Sequence, residues 1–273
     1  MNIKNIDFVL EIGSGHNPRP RSDVLCDKLP EDDTERGGEI LIDRPFIAAD
    51  GQYLPFADKS FDYVICCSVL EHAEDVSLFI SEIIRVGKAG YIEVPSEIGE
   101  KLYGWDYHKW IFRLSDSDKL IIKKKTKNSQ FGQLFHYLYK NNQDYAKFHT
   151  NHHKLFLIQF EWFNKIDYEI MESDDDLINL NDLNEIKNLL NQQTKAGIFG
   201  LIKRMMPSGI RRLMKSSIVK SHGKNRKTLK DIQHIIVCPV CKNQVQWQDE
   251  FIFCLSCNRK YLIRKGIPFL CLF

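Results

Sequence analysis

Short apolar runs alternate with polar turns through the first hundred residues, and most of the runs end at an acid or a glycine. These runs predict five strands, at residues 8–12, 22–27, 46–50, 61–68 and 90–95. The run at 61–68 is rich in β-branched and aromatic residues, which is typical of a parallel strand buried on both faces. Between the fourth and fifth strands, Asp75 is a predicted N-cap for a helix whose apolar residues recur at helical spacing.

The alternation of strands and crossovers predicts an α/β fold with a Rossmann-like, doubly wound parallel sheet. In such sheets ligands bind at the carboxyl ends of the strands. The first crossover is short, because eleven residues with two prolines separate Gly15 from Asp27. We therefore predict a loop rather than a helix there.

Three segments are predicted from the changes in pattern and composition. Residues 1–172 form the α/β domain, which we expect to include a helix at 130–140 and to end in an antiparallel hairpin made of 156–162 and 166–170. Residues 173–230 form a basic helical connector, with twelve Lys and Arg and no Asp or Glu between Ile186 and Lys230. Residues 231–273 form a small cysteine-containing domain.

Composition excludes several classes of protein. Of 273 residues, 43% are hydrophobic and 27% charged, which fits a soluble globular chain rather than a fibrous or disordered one. The sequence shows no signal-peptide pattern and no run of about 20 apolar residues, the length that a spanning helix needs. We therefore expect a cytoplasmic protein, and the four scattered cysteines, Cys26, Cys66, Cys67 and Cys271, are expected to be buried thiols.

The candidate ligand site lies at the ends of the first four strands. Gly13, Ser14 and Gly15 form a turn in which a ligand can approach bare backbone, with Glu11 just before them. Asp27 ends the second strand, Asp50 and Gly51 follow the third, and the fourth strand ends at Cys67, Ser68 and Leu70. Because parallel strands end at one edge of the sheet, these residues are expected to converge on one cleft.

Four motifs in this order carry a resemblance to a known family: Glu11-Ile-Gly13-Ser-Gly15, Asp50-Gly-Gln-Tyr-Leu-Pro-Phe56, Phe61-Asp-Tyr-Val64 and Ser68-Val-Leu-Glu-His72. Together they resemble the class I S-adenosylmethionine-dependent methyltransferases of small-molecule type. The resemblance covers roughly residues 7–97 and implies S-adenosylmethionine as cofactor. It assigns close backbone approach to the glycines, the ribose hydroxyls to Asp27, and the adenine to Asp50 with Leu70.

His72 and His108 are the candidate catalytic residues, because methyl transfer to a hydroxyl needs a base near the acceptor. The alternative is that His72 only shapes the pocket and His108 is a loop or core residue. An NAD-dependent oxidoreductase would use a similar sheet, but His16-Asn17-Pro18-Arg19-Pro20 is poorly suited to the phosphate-binding helix it needs. A binding or scaffold protein without catalysis is the alternative from another class.

The tail carries two Cys-x-x-Cys pairs, Cys238 with Cys241 and Cys254 with Cys257. Four thiolates at this spacing predict a closed structural Zn²⁺ site in a zinc ribbon, against two disulfides or a redox role. Together with residues 261–270, the pairs resemble the small zinc-ribbon activators that partner tRNA, rRNA and release-factor methyltransferases. The resemblance implies a ribbon that stabilises the methyltransferase domain or presents its substrate.

The sequence says less about the acceptor and other binding partners than about the cofactor. We expect a small-molecule or saccharide acceptor, with RNA or a translation protein as the alternative. The basic connector is interpreted as a solvated helical face and linker, as a peripheral membrane contact through residues 198–219 at the inner face of the membrane, or as a nucleic-acid contact. The sequence does not predict the oligomeric state.

Overall fold

The computed structural model describes residues 1–31, 38–172, 177–178, 182–184, 187 and 227–271. The strands of this part of the chain are β1 (Val9–Ile12), β2 (Val24–Asp27), β3 (Phe46–Ala48), β4 (Phe61–Cys67), β5 (Gly87–Pro95), β6 (Trp110–Leu114), β7 (Leu120–Lys124), β8 (Leu157–Phe163), β9 (Tyr168–Met171), β10 (Gln246–Trp247), β11 (Phe251–Cys254), β12 (Arg259–Arg264) and β13 (Ile267–Pro268). The α-helices are α1 (Val76–Val86), α2 (Glu97–Tyr103), α3 (Gly132–Asn141), α4 (Gln143–Asn151), α5 (His153–Phe156) and α6 (Leu229–Ile232). Short 3-10 turns occupy Gly51–Tyr53, Leu70–His72 and Gln233–Ile235.

The main sheet has six strands in the order β3-β2-β1-β4-β5-β8. The first five strands are parallel and β8 runs antiparallel to β5. Strands later in the chain are thus added on both sides of β1. All five strands predicted from the apolar runs are present. The prediction of an α/β fold with a mainly parallel sheet is confirmed.

Helix α1 is the crossover between β4 and β5. Its N-cap is Asp75, as predicted, and the Asp75 carboxylate accepts a hydrogen bond from the Leu78 N–H at 2.9 Å. The helix buries one apolar face in the main core through Phe79, Ile80 and Ile83. The first crossover contains no helix, also as predicted, because its prolines interrupt the short connection.

The antiparallel hairpin predicted from residues 156–162 and 166–170 is wrong. Strand β8 pairs with β5, whereas β9 pairs in parallel with β7 in a separate three-stranded sheet that also contains β6. Trp162 of β8 packs over Gly90 of β5, where an added Cβ would lie 2.8 Å from the indole. Because of its long pairing with β5, strand β8 belongs to the main sheet, whereas β9 belongs to the three-stranded sheet.

The C-terminal segment folds into a four-stranded antiparallel sheet, β10 to β13, that docks on the edge of the main sheet. The Leu270 N–H donates to the Ala48 carbonyl of edge strand β3 at 2.7 Å, and Ile236 forms a bridge to Phe56. Ile236 and Leu270 belong to the same buried cluster as the strands of the main sheet. The tail therefore shares the core of the α/β domain.

The division at residues 172 and 230 stays a prediction, since most of the connector, including 198–219, lies outside the described residues. None of the helices in the described part of the chain combines the length and apolar character needed to cross a membrane.

Candidate functional site

A cleft opens at the carboxyl ends of β1, β2, β3 and β4, with a volume of about 900 Å³ including the solvent at its mouth. Six of the predicted cofactor residues line it together: Gly13, Gly15, Asp27, Asp50, Gly51 and Ser68. Residues not predicted from the sequence complete its wall, among them Lys28, Leu29, Gln52, Val69 and Phe79. The size and the mixture of apolar and polar groups are those of a small-ligand site.

The glycine turn closes tightly against the strand exit opposite it. Gly13 has a φ of +68°, and a Cβ there would lie 2.0 Å from a methyl carbon of Val69. Gly15 also has a positive φ, and its N–H donates to Asp27 Oδ2 at 3.0 Å. The turn therefore needs glycine at Gly13 for both conformation and space.

Two carboxylates stand at neighbouring positions on the cleft wall. Asp27 accepts hydrogen bonds from the N–H groups of Gly15 and Leu29, which hold it at the end of β2. Asp50 caps the turn Gly51–Tyr53 by accepting from the Gln52 N–H, and the ammonium of Lys28 lies 2.7 Å from Asp50 Oδ2. Both acids are thus fixed by local backbone groups.

Glu11 does not line the cleft. It is buried, accepts hydrogen bonds from the Arg19 N–H and the Ser22 hydroxyl, and its burial raises the pKa of its carboxyl. Successive side chains of a strand point to opposite faces, so Glu11 and the cleft-lining Ile12 lie on different sides of β1. Because β1 is buried on both faces, its sequence does not indicate which of its side chains face the cleft.

Ser14, Cys67 and Leu70 also lie off the cleft wall. Ser14 and Leu70 are buried, and Cys67 Sγ lies 3.6 Å from the guanidinium of Arg19. Burial raises the pKa of the Cys67 thiol to about 11. Contact of the cofactor with these three residues, and with Glu11, stays a prediction.

His72 lines the cleft at the end of the turn Leu70–His72. Its ring stacks on Tyr107, with 5.2 Å between centroids, and meets the ring of His108 edge-on at 4.8 Å. Burial lowers the pKa of His72 to about 4, so the imidazole is neutral at pH 7. The structure therefore brings the two candidate catalytic histidines together.

His108 is buried behind His72 in a charged network that the sequence did not indicate. Its Nδ1 lies 2.6 Å from Glu100 Oε2, and the ammonium of Lys125 lies 2.7 Å from Glu100 Oε1. All three side chains are about 95% buried or more. The carboxylate thus orients the imidazole, and the lysine balances the charge of the carboxylate.

Glu71 completes this group from the same turn as His72. It is 1% exposed, and neither carboxylate oxygen accepts a hydrogen bond from another described residue. Burial raises the pKa of the Glu71 carboxyl to about 8. Its place in the Leu-Glu-His motif is the only signal of it that the sequence offers.

The four tail cysteines cluster as predicted. Their sulfur atoms all lie within 4.8 Å of one another, with 3.5 Å between Cys238 and Cys257 and 3.4 Å between Cys241 and Cys254. Hydrogen bonds with Asn243 lower the pKa of the Cys241 thiol to about 6. Four sulfurs at these separations fit a tetrahedral thiolate site such as Zn²⁺ prefers.

The glycine turn and the strand-end acids of the cleft lie where α/β sheets bind their ligands, at the carboxyl ends of the strands. Residues 28–92 match the profile of a methyltransferase domain family. A demethylmenaquinone methyltransferase of Thermobifida fusca is 31% identical over 77 residues, which are 26% of this chain and 33% of that protein. The chain thus spans about a third of the curated relative it matches, and the family match covers 28–92 of its 273 residues.

Similar solved structures resemble parts of the chain only. A chain from the complex between the Haloferax volcanii Trm112 methyltransferase activator and a methyltransferase is 24% identical at a TM-score of 0.29, over 34% of this chain and 47% of that one. The YcgJ protein of Bacillus subtilis is 18% identical at a TM-score of 0.31, over 41% of this chain and 65% of that one. Likenesses of this size carry no inference about activity.

Proposed function

We propose that this protein is an S-adenosylmethionine-dependent methyltransferase that acts on a small-molecule acceptor. The proposal depends on one observation above all: the glycine turn, Asp27 and Asp50 line one cleft. The sequence match to a methyltransferase domain, over residues 28–92, includes Asp50. S-adenosylmethionine supplies an electrophilic methyl group on a sulfonium when it is bound.

The residues of the cleft fit this cofactor in chemical type. Gly13 and Gly15 leave room for close backbone approach, and Asp27 can accept hydrogen bonds from the two hydroxyls of a ribose. Asp50 can accept from the adenine amino group, with Leu29 and Phe79 as apolar surface around the ring. Lys28 limits the negative charge of this wall through its ion pair with Asp50.

His72 is the candidate general base of the cleft. It lines the same wall as Ser68, and its lowered pKa keeps the imidazole neutral at the pH of the cell. A neutral imidazole can take the proton of an acceptor hydroxyl while the methyl group is transferred. His108, oriented by Glu100, acts through its contact with His72 rather than on the cleft directly.

A small-molecule acceptor agrees with the name of the curated relative, demethylmenaquinone methyltransferase. A saccharide acceptor, a cytoplasmic location and peripheral membrane contact through residues 198–219 are predictions from the sequence alone. Methylation of RNA or of a translation protein is the alternative. A non-catalytic scaffold is the other alternative, and it would bind cofactor without transfer or not at all.

We further propose that Cys238, Cys241, Cys254 and Cys257 hold a structural Zn²⁺ ion. The compact sulfur cluster supports this proposal, as does the hydrogen bonding that favours the Cys241 thiolate. All four ligands come from the protein, so no position stays open for a substrate. The expected role of the ion is therefore to hold the ribbon together.

Isothermal titration with S-adenosylmethionine tests the proposed cofactor site. We expect binding to the wild-type protein, and Asp27→Asn should weaken it about tenfold to a hundredfold, since a hydrogen bond to a charged group contributes about 1.5–3 kcal/mol. Asp167→Asn is the matched control, because Asp167 is an exposed acid paired with Lys165 outside the cleft. Its affinity should equal that of the wild type.

Failure would take two distinguishable forms. A wild-type protein that does not bind at millimolar cofactor contradicts the methyltransferase proposal and favours a scaffold. Wild-type binding with unchanged affinity in Asp27→Asn would show that the acid of β2 does not hold the ribose.

A further inference from the structure

Three side chains with metal-ligating atoms meet beside the proposed cofactor cleft. Glu71 and His72 come from the turn Leu70–His72, and His108 comes from the loop before β6. One ligand atom of each residue lies within 4.8 Å of those of the other two. Two imidazoles and one carboxylate form a ligand set that is typical of divalent transition-metal ions.

The Glu71 carboxylate requires a partner that the described protein atoms do not provide. It is 1% exposed, and no neighbouring described residue donates a hydrogen bond to either oxygen. The nearby ammonium groups are committed elsewhere, that of Lys109 to Glu74 and that of Lys125 to Glu100. A bound cation would stabilise the ionised form of this buried carboxylate.

His108 is held as a metal-binding histidine usually is. Its Nδ1 is engaged with the buried Glu100 at 2.6 Å, which leaves Nε2 as the coordinating atom. A carboxylate bonded to the second ring nitrogen fixes the orientation of the ring and raises its strength as a ligand. Lys125 in turn neutralises Glu100, so the net charge of the ligand set comes from Glu71.

We propose that Glu71, His72 and His108 bind a divalent first-row transition-metal ion next to the methyl donor. His72 belongs to the wall of the cofactor cleft, and His108 belongs to the wall of a neighbouring cavity of about 650 Å³ that also contains Glu74 and Lys109. The ion would therefore lie between donor and acceptor. Three protein ligands leave coordination positions open for acceptor oxygens.

This location indicates a class of acceptor, an inference that rests on the proposed methyltransferase function. A hydroxyl with a second hydroxyl or a carbonyl oxygen beside it can occupy two positions on the ion, as a catechol does. With His72 bound to the ion, water rather than His72 takes the proton of the hydroxyl, and the hydroxyl oxygen forms the bond to the methyl carbon. The sulfonium sulfur keeps the electron pair of the broken S–CH₃ bond and becomes a neutral thioether.

Titration of the zinc-loaded full-length protein with Mn²⁺ tests the site, with free Mn²⁺ followed by electron paramagnetic resonance. Mn²⁺ prefers oxygen ligands to thiolates, so it should not enter the cysteine site. We expect one Mn²⁺ per chain, and Glu71→Gln should weaken its binding at least about tenfold. Glu169→Gln is the control, because it removes an equal charge from an exposed side chain that pairs with Lys119 and lines neither cavity.

If circular dichroism shows that Glu71→Gln does not fold, a second variant tests the site instead. His72→Asn changes a partly exposed ligand and should weaken Mn²⁺ by a similar factor. No binding of Mn²⁺ or Ni²⁺ at millimolar concentration overturns the site, and so does equal affinity in the wild type and the ligand variants. Because S-adenosylmethionine binding is measured separately, intact cofactor binding without metal binding leaves the proposed function standing.

Catechol tests the acceptor class on the same protein. It should bind about tenfold more tightly when Mn²⁺ is present, and by reciprocity Mn²⁺ should then bind more tightly with catechol. Equal catechol affinity with and without Mn²⁺ would overturn the acceptor class.

Discussion

At the scale of single residues, the cofactor cleft depends on how closely the turn after β1 approaches the exit of β4. Gly13 has a left-handed backbone conformation and lies against Val69, so both its φ and its surroundings exclude a side chain. Gly266, in the turn between β12 and β13, has a φ of +75° but no atom within 4 Å of an added Cβ. Comparing the two glycines therefore separates the free-energy cost of the left-handed backbone conformation from the free-energy cost of a steric clash.

Gly13→Ala should destabilise the protein more than Gly266→Ala. The left-handed conformation alone costs a residue with a side chain about 1–2 kcal/mol, and only Gly13 adds a steric clash. Chemical denaturation measures both free energies of unfolding, and titration should show weaker S-adenosylmethionine binding in Gly13→Ala alone. Equal effects of the two substitutions would mean that Val69 moves aside without cost.

At the scale of elements, α1 connects the main core to one wall of the cleft. The Asp75 N–H donates to Gln52 Oε1 at 2.6 Å, while the Asp75 carboxylate caps the helix. Phe79 of α1 and Gln52 both line the cleft. The start of the helix and the turn Gly51–Tyr53 therefore form one hydrogen-bonded unit.

Asp75→Ala should lower the free energy of unfolding by about 1 kcal/mol, the usual value of a side-chain N-cap. Ser81→Ala on the exposed part of the same helix should change it by less than about 0.5 kcal/mol. Thermal and chemical denaturation compare the two variants. A loss in Asp75→Ala no larger than that in Ser81→Ala would show that the cap contributes nothing.

At the scale of the whole molecule, the cysteine-containing tail and the main sheet stabilise each other. Besides the bond from Leu270 to Ala48, Lys242 lies 2.6 Å from Glu82 of α1, which also pairs with Arg85. The tail thus adds backbone pairing at the sheet edge and a charge contact on the helix. Edge strand β3 carries Asp50 just beyond its end, so the docked tail also supports the cleft.

Removal of Zn²⁺ with a chelator should lower the unfolding temperature of the whole chain in a single transition. A fall of more than about 4 °C is expected, because about 1 kcal/mol shifts a chain of this size by about 2–4 °C and a structural zinc site contributes more. Scanning calorimetry measures the unfolding temperature. An equal fall in the Glu71→Gln variant after chelation would show that the effect comes from the ion held by the cysteines. Two separate transitions with the main one unshifted would contradict this coupling.

The first five strands, the cap of α1 and the cysteine cluster could be predicted from the sequence. Each depends on residues close together in the chain: an apolar run, an acid three residues before a helical N–H, or paired cysteines. Local conformational preference and ligand spacing act over such distances, so the pattern contains the information. The acids Asp27 and Asp50 followed from the rule that parallel strands end at one edge.

Tertiary structure alone decided the pairing of β8 with β5, the side of β1 on which Glu11 lies, and the meeting of Glu71 with His108. Strand pairing is chosen by long-range packing, as Trp162 over Gly90 shows, and both faces of a buried apolar strand look alike in sequence. The environment of a carboxylate depends on which distant side chains exclude water from it. Such contacts arise only when segments far apart in the chain are brought together by the fold.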